Sequence, residues 1–427
     1  MGIIKATRKQ YSQEEPNSLA SLKQAYSVLS QDNEFIDEVL SCYSVKTDEQ
    51  SMKEPLLIGN VKQLLADISE LDQQTDKIDA IVNLKNIHLD KVLENEHVLF
   101  NIYGIQEAEL IKRLKADHLT VESRYSARTD ILEYYNLSKF ASFLHSNNMD
   151  SYARQIWETL RTSAIQDKKC MARLIYHKEE EKYYIRAITS ANGYKRYGIN
   201  FSVLVILLAL NEYVKSRQEH VFIESYEIDD SRITMSIQFD RRIRLDEDMY
   251  LTLNLSLEND EIRQSSVILN AEFRVVYKKD EKESDIFIKP TNYLKEHGAY
   301  SQDMLTYSHG VNVKTAINKV AELPKMIDKY IEQVSKDAVA IKSIKEPKLV
   351  QEFIQQKIKN ARKDEFVGYK PEIIKKLASM EVNSVFELFE LLRKVEELFG
   401  DDIKSKNFWR KNYTRLLSNV VRKTNNV

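Results

Sequence analysis

The sequence predicts an α+β fold, with a helical N-terminal region, a β-rich mixed core around one buried helix, and a helical C-terminal region. Three observations support this class. Apolar residues recur with the period of an α-helix over most of residues 17–165. Short apolar and aromatic runs, several of them alternating with polar residues, follow between residues 166 and 290. The helical period returns at Val311 and continues toward the end of the chain.

The N-terminal part divides into two regions. Residues 1–16 end at Pro16 and carry no apolar period, so we expect a flexible lead. A mainly helical region is expected over residues 17–165, where Ser18 can cap the first helix. Within it, the run HVLFNIY (97–103) is short, apolar and aromatic, and predicts a lone strand.

The β-rich core is expected over residues 166–300. MARLIYHK and KYYIRAIT flank a charged KEEE turn and predict a hairpin. INFSVLVILLALNEYVKS is too long and too apolar for a strand, so it predicts a buried helix. RITMSIQF and YLTLNLSL alternate apolar with polar residues, as strands with one buried face do. We expect about seven strands around this one helix.

The helical C-terminal region spans residues 301–427. The predicted helices cover 311–342, 347–362, 371–379, 383–399 and 404–423. Pro324 is expected to kink or divide the first of them, because proline lacks the amide that a helix interior needs.

Composition excludes several classes of protein. The 427 residues include 65 acidic and 63 basic side chains and are 43% hydrophobic, a balance typical of soluble folded proteins. The two cysteines, Cys42 and Cys170, cannot form a disulfide scaffold and favour a cytoplasmic location. The longest apolar stretch, 201–210, is too short for a membrane span, so no membrane partner is expected. Gly193 and Gly198 are not followed by Gly-Lys-Ser/Thr, which argues against a nucleotide-hydrolysing loop.

Catalytic and metal-binding patterns are weak, so we favour a non-enzymatic protein without a cofactor. The eight histidines include no His-x-x-x-His pair, and Cys-x-x-Cys and Gly-x-Ser-x-Gly are both absent. His309 marks the junction between the core and the C-terminal helices, where a structural role is the simpler interpretation. Acidic residues between Glu224 and Glu272, with Lys278, leave a magnesium-dependent nuclease as an alternative. A charged hairpin edge that discourages sheet pairing explains them more simply.

Basic residues interspersed with aromatics form two segments. The loop ANGYKRYGIN contains Tyr194, Lys195, Arg196 and Tyr197, and Arg186 lies on the strand before it. Cationic side chains bind phosphates and aromatic rings stack on bases, so this loop predicts contacts with DNA or RNA. The second segment is the last helix, whose predicted contact residues are Arg410, Lys411 and Arg415. In both segments, inward-packed aromatics with solvated charges are the structural alternative.

These features occur in an order that resembles a known family. RAITSANGYKRYGINFSVLVILLAL is similar to the central motif of the phage- and plasmid-borne family catalogued as domain of unknown function 932, an Arg-Ala-x-x-Ser-x-x-Tyr run that enters a helix. The matching positions are Arg186, Ala187, Ser190 and, one residue late, Tyr194. Residues 307–310 fall where that family often has a His-Gly step, whereas VYK (276–278) stands in place of its usual Cys-Asn-Gly. The resemblance implies an origin in a mobile element and no defined activity.

We therefore expect a protein of a phage, plasmid or defence locus that contacts nucleic-acid phosphates through the basic-aromatic loop. The alternative from another class is an assembly or regulatory protein that binds a protein partner or forms a homo-oligomer, because amphipathic helices dominate both flanks. The nuclease is the third hypothesis.

Overall fold

The computed structural model describes residues 4–93, 97–125, 127–133, 135–162, 168–191, 193–262, 266–288, 305–361, 368–400 and 403–425. The fold is α+β, with 45% helix, 28% strand, helices at both ends and sheets in the middle. The class predicted from the sequence is confirmed.

Helices of the described residues fall into three groups along the chain. The N-terminal helices are α1 (Leu22–Leu29), α2 (Ile36–Cys42), α3 (Glu49–Met52), α4 (Val61–Gln74), α5 (Ala108–Leu114), α6 (Ala127–Glu133), α7 (Ser138–Ser146) and α8 (Asp150–Arg161). The central helix is α9 (Ile199–Arg217). The C-terminal helices are α10 (Val313–Ala321), α11 (Leu323–Lys342), α12 (Pro347–Lys359), α13 (Lys370–Ala378), α14 (Val385–Glu396) and α15 (Ile403–Asn425).

Strands of the described residues build two sheets. Those of the large sheet are β1 (Thr7–Gln10), β8 (Val221–Ile228), β9 (Arg232–Phe239), β10 (Ile243–Arg244), β11 (Met249–Asp260), β12 (Val267–Lys279), β13 (Lys282–Ile288) and β14 (Leu305–Tyr307). Those of the small sheet are β2 (Thr75–Asn83), β3 (Ile87–Val92), β4 (Val98–Tyr103), β5 (His118–Ser123), β6 (Lys169–His177) and β7 (Lys182–Ser190).

The large sheet is antiparallel in the order β1-β8-β9-β11-β12-β13, with β10 beside β11 and β14 beside β12. Its strands alternate as predicted, and the odd-numbered residues Leu251, Leu253, Leu255 and Leu257 of β11 are buried. Helix α9 is buried along most of its length and contacts α1, α10, α11 and β11. One continuous apolar core therefore joins the N-terminal helices, α9, the large sheet and the C-terminal helices.

The small sheet has the order β2-β6-β7-β5-β4-β3 and is antiparallel except between β5 and β7. One of its faces packs with α5 to α8 to form a second apolar core. Trp157 of α8 is fully buried there, and its indole nitrogen donates to the backbone carbonyl of Ile87 over 2.8 Å. The second core is separate from the first.

Several predicted elements are found close to where the sequence puts them. The strand in HVLFNIY, the β6–β7 hairpin and the buried helix α9 are confirmed. The C-terminal helices also follow the prediction, and Pro324 lies in the first turn of α11, directly after the break that ends α10.

Two N-terminal predictions need correction. Residues 7–10, within the expected flexible lead, form β1 and pair with β8, because the edge of a distant strand supplies hydrogen bonds that no local pattern reveals. The predicted lone strand at 97–103 has neighbours, and β2 to β5 make residues 17–165 only partly helical. The small sheet therefore runs across the boundary that the sequence predicted at residue 166.

Candidate functional site

Charged side chains of the small sheet face the first core instead of the second. Lys77 and Asp79 alternate along β2 with Ala80 and Val82, which lie in the second core, so the two charged residues lie on the opposite face. Asp79 pairs in register with Arg173 of β6. The small sheet therefore places charged side chains in the region between the two cores, which we call the seam.

Glu261 lies at the centre of this seam, directly after β11, and its side chain is only 3% exposed. Its Oε1 accepts from the Lys77 ammonium at 2.8 Å and from the backbone amide of Ile199 at 2.9 Å. Its Oε2 accepts from Nη1 of Arg186 at 2.8 Å. Burial raises the pKa of Glu261, but the charges of Lys77, Arg186 and Arg173 outweigh burial and hold this pKa well below its usual range.

A second carboxylate, Asp79, binds two guanidinium groups. Its Oδ1 lies 3.3 Å from Nε of Arg173, and its Oδ2 lies 3.0 Å from Nε of Arg196. Arg173 is 4% exposed, and its Nη1 also donates to the Tyr194 hydroxyl over 3.0 Å and to the backbone carbonyl of Glu261. We call Lys77, Arg173, Arg186, Arg196, Asp79 and Glu261 the seam cluster. It contains four cations and two carboxylates.

Arg186 is fully buried within the seam cluster. Its Nη1 donates to Ser231 Oγ over 3.1 Å and to the backbone carbonyl of Asp230 over 3.3 Å. Its Nε and Nη2 have no hydrogen-bond partner in the described structure. Buried donors without partners are costly, so Arg186 has unused hydrogen-bonding capacity beside Glu261.

A cavity of about 310 Å³ opens at the seam. Its lining residues are Asp32, Asn33, Glu34, Lys77, Asp79, Arg173, Arg196, Gly198 and Glu261. Gly198 must stay small, because a Cβ atom there would lie 3.0 Å from Oε1 of Glu261. On the other wall, burial raises the pKa of Asp32, while the positive charge of Lys77 opposes this rise. The cavity is therefore polar and carries both signs of charge.

The loop formed by residues 193–198 borders this cavity and is anchored by its aromatic rings. Tyr194 stacks on His309 with ring centroids 4.6 Å apart. Tyr197 is fully buried, and its hydroxyl donates to the backbone carbonyl of Val311 over 2.7 Å. Burial lowers the pKa of His309 to about 4, so this ring is neutral at pH 7, with Nδ1 donating to the Lys195 carbonyl over 3.1 Å. Lys195 and Arg196 are exposed.

The predicted contact residues of the loop divide by exposure. Lys195 and Arg196 are exposed at the surface, and Arg196 also pairs with Asp79 through Nε. Arg186 and Tyr197 are fully buried, so direct phosphate contact by Arg186 and base stacking by Tyr197 do not fit this conformation. The Tyr194 ring is already stacked on His309 and contacts the Arg173 guanidinium. The inward-packed alternative therefore describes the aromatics of this loop.

The predicted contact residues of α15 divide in the same way. Arg410 is mostly buried, with Nη1 2.7 Å from Glu272 and a second ion pair to Glu396, so its charge is already compensated. Lys411 and Arg415 are exposed. The aromatic neighbours Trp409 and Tyr413 are buried.

The sequence did not predict three residues of the seam cluster, namely Lys77, Asp79 and Glu261. Lys77 and Asp79 lie in a strand that was not predicted, and Glu261 follows β11 in a turn. One signal was present: Arg173 and Arg186 interrupt two otherwise apolar strands, and an arginine at such a position needs a buried partner. The positions of the family resemblance also meet here, since Tyr194 stacks on His309 and Arg186 binds Glu261. The family itself stays a prediction.

Fold and site together define an α+β protein with two sheets and a charged cavity between them. No family model matches the chain, and no curated protein or solved structure is significantly similar to it. Among the described residues, no group of three or more His, Cys, Asp or Glu side chains is placed to hold a metal ion. In the same part of the chain, α9 alone is long and apolar enough to span a membrane, and 78% of its apolar window is buried inside the protein.

Proposed function

We propose that the protein is a non-enzymatic nucleic-acid-binding protein that contacts phosphates through Lys195 and Arg196. The observation that carries this proposal is the geometry of the 193–198 loop, which holds two exposed cations on a buried aromatic anchor. An anchored loop loses little conformational entropy when a ligand binds, because its backbone is ordered beforehand.

The charges around the loop support binding of an anion. Lys195 forms no ion pair within the described part of the chain. Arg196 uses Nε for Asp79, but its side chain is 43% exposed and guanidinium has further donors for a phosphate.

Lys411 and Arg415 of α15 are exposed and fit the same proposal as a second source of phosphate contacts. In this proposal Arg186 and Arg410 stabilise the fold and do not contact the nucleic acid, because both form buried ion pairs. The proposed origin in a phage, plasmid or defence locus rests on the family resemblance alone.

Fluorescence anisotropy with labelled single- and double-stranded DNA and RNA, with and without magnesium, tests the proposal. The double variant Lys195→Glu/Arg196→Glu should bind at least about tenfold more weakly than the wild type at low salt, because phosphate contacts dominate such affinity. The matched control is Lys345→Glu/Lys348→Glu, which makes the same charge change at two exposed lysines near α12 and should keep most of the affinity. Absence of binding by the wild type at low salt would refute the proposal.

A second candidate function, binding of a protein partner or a second copy, is favoured by one surface. Phe140 and Phe143 of α7 are 42% and 54% exposed, and their rings stack with centroids 6.4 Å apart. Adjacent exposed aromatics are typical of interaction surfaces. Light scattering of the wild type and of Phe140→Ser/Phe143→Ser tests it: an oligomer that the variant loses supports this function, and a wild-type monomer counts against self-association.

A further inference from the structure

We propose that the seam cavity receives one nucleotide unit of the bound strand, with the hydrogen-bond donors of its base toward Asp32 and Glu34 and its phosphate toward Arg196. This inference rests on the proposed function, because it names the part of the nucleic acid that enters the site. Guanine is the base that the lining fits best.

The size and polarity of the cavity fit such a ligand. Its volume of about 310 Å³ lies at the lower end of small-molecule sites, which run from about 300 to 1,000 Å³. Seven of its nine lining residues carry a charged side chain, and an apolar ligand would leave two of these, Asp32 and Glu34, without a partner. The ligand must therefore offer hydrogen-bond donors to these two carboxylates.

Two carboxylates of the cavity lining have no ion pair, whereas its cations lie beside the carboxylates that pair with them. Asp32 and Glu34 lie between α1 and α2, and neither forms an ion pair or hydrogen bond in the described part of the chain. Their carboxylates only accept hydrogen bonds when ionised. The cations Lys77, Arg173 and Arg196 lie on or next to the small sheet, where Glu261 and Asp79 already pair with them.

A nucleotide fits this arrangement of unpaired carboxylates and an exposed guanidinium. The Watson–Crick edge of guanine presents adjacent N–H donors, which a carboxylate can accept as a pair, whereas adenine and the pyrimidines offer a donor beside an acceptor. The phosphate would meet the exposed guanidinium of Arg196, next to Lys195 on the same loop.

Isothermal titration calorimetry with the four nucleoside monophosphates, guanosine, inorganic phosphate and free arginine tests the inference. GMP should bind tightest, and Asp32→Asn/Glu34→Gln should weaken GMP about tenfold while changing inorganic phosphate less than about twofold, because only the base-binding wall changes. Arg196→Gln should weaken both ligands. The matched control, Asp37→Asn/Glu49→Gln, removes two exposed carboxylates outside the cavity lining and should leave GMP binding unchanged.

The outcomes separate this inference from the proposed function. If oligonucleotides bind through Lys195 and Arg196 but no monophosphate binds, the inference is wrong and the proposed function stands. If monophosphates bind and oligonucleotides do not, the proposed function is wrong, and the cavity is a site for free nucleotides. Equal affinity for all four bases, tighter binding of free arginine than of GMP, or an unchanged GMP affinity in Asp32→Asn/Glu34→Gln would overturn the assignment of the carboxylates.

Discussion

The rings of Tyr194 and His309 lie face to face, with centroids 4.6 Å apart and planes inclined by only 5°. The backbone next to this pair is joined as well, since the amide of Lys195 donates to the carbonyl of His309 over 2.6 Å. A loop between β7 and α9 is thus fixed to the segment that leads from β14 to α10. This contact holds the backbone of the loop that carries the two exposed cations.

Removal of the Tyr194 hydroxyl tests this anchor. That hydroxyl accepts from Arg173 at 3.0 Å and donates to the carbonyl of Glu261 over 2.9 Å. Tyr194→Phe should lower the free energy of unfolding by about 1–3 kcal/mol, because a buried guanidinium loses an acceptor. Urea denaturation measures the change. Tyr152→Phe, the same substitution at an exposed tyrosine, should have almost no effect, and an equal loss in both variants would contradict the role of the hydroxyl.

Neutralisation of Glu261 tests the seam cluster. Glu261→Gln leaves the buried cations Lys77 and Arg186 without their shared carboxylate and should cost about 3–5 kcal/mol, the typical loss when one partner of a buried ion pair is removed. Urea denaturation at pH 7 gives the value. Glu49→Gln breaks an exposed pair with Lys53 and should change stability little.

The same variant has a distinct pH dependence. The pKa of Glu261 is lowered in the folded protein, so its stabilisation is present above the unfolded pKa, near 4.5, and is lost as the pH falls below that value. Wild-type stability should therefore decline in acid more steeply than that of Glu261→Gln. Glu122 makes the stability of both proteins fall in acid as well. Burial raises its pKa, but Lys182, His97 and Arg124 outweigh burial and lower this pKa to about 2. Parallel profiles would contradict the account of Glu261.

Asp229 should have the opposite pH dependence to Glu261, because its contribution to stability decreases as the pH rises. Burial and the neighbouring charge of Asp230 raise the pKa of Asp229 to about 6. Between the unfolded pKa of about 3.8 and this value, the folded state binds more protons, so the contribution of Asp229 to stability falls as the pH rises through this window. Asp229→Asn, whose amide oxygen can still accept from the backbone amides of Ser231 and Arg232, should be more stable than the wild type at pH 7.5 and nearly equal to it at pH 4. A variant less stable at pH 7.5 would contradict this.

The sequence predicted the elements whose pattern is local. The apolar length of α9 and the alternation in β9 and β11 are visible within a few residues, and the structure confirms them. The strand β2 was missed because TDKIDAIVN places charged residues on the face that is buried against the seam. Those charges are compensated only by residues far along the chain, such as Arg173 and Glu261, so no local pattern could reveal their burial.

The candidate site shows the same limit. The exposed pair Lys195 and Arg196 was recognised from composition, because charges in a glycine-flanked loop are accessible in most folds. The direction of the aromatic rings was not predicted, because Tyr194 and Tyr197 turn inward toward His309 and Val311, which are distant in sequence. Composition identified the loop, while long-range packing decided which of its side chains remain available.

The salt dependence of oligonucleotide binding tests the central claim most directly. The association constant should fall linearly with salt concentration on a log–log plot, with a slope that reports the number of phosphate contacts. Lys195→Gln/Arg196→Gln should bind more weakly and with a slope smaller by roughly 0.7 to 0.9 for each of the two lost contacts. Wild-type and variant plots with the same slope would contradict the claim that these two residues bind phosphates.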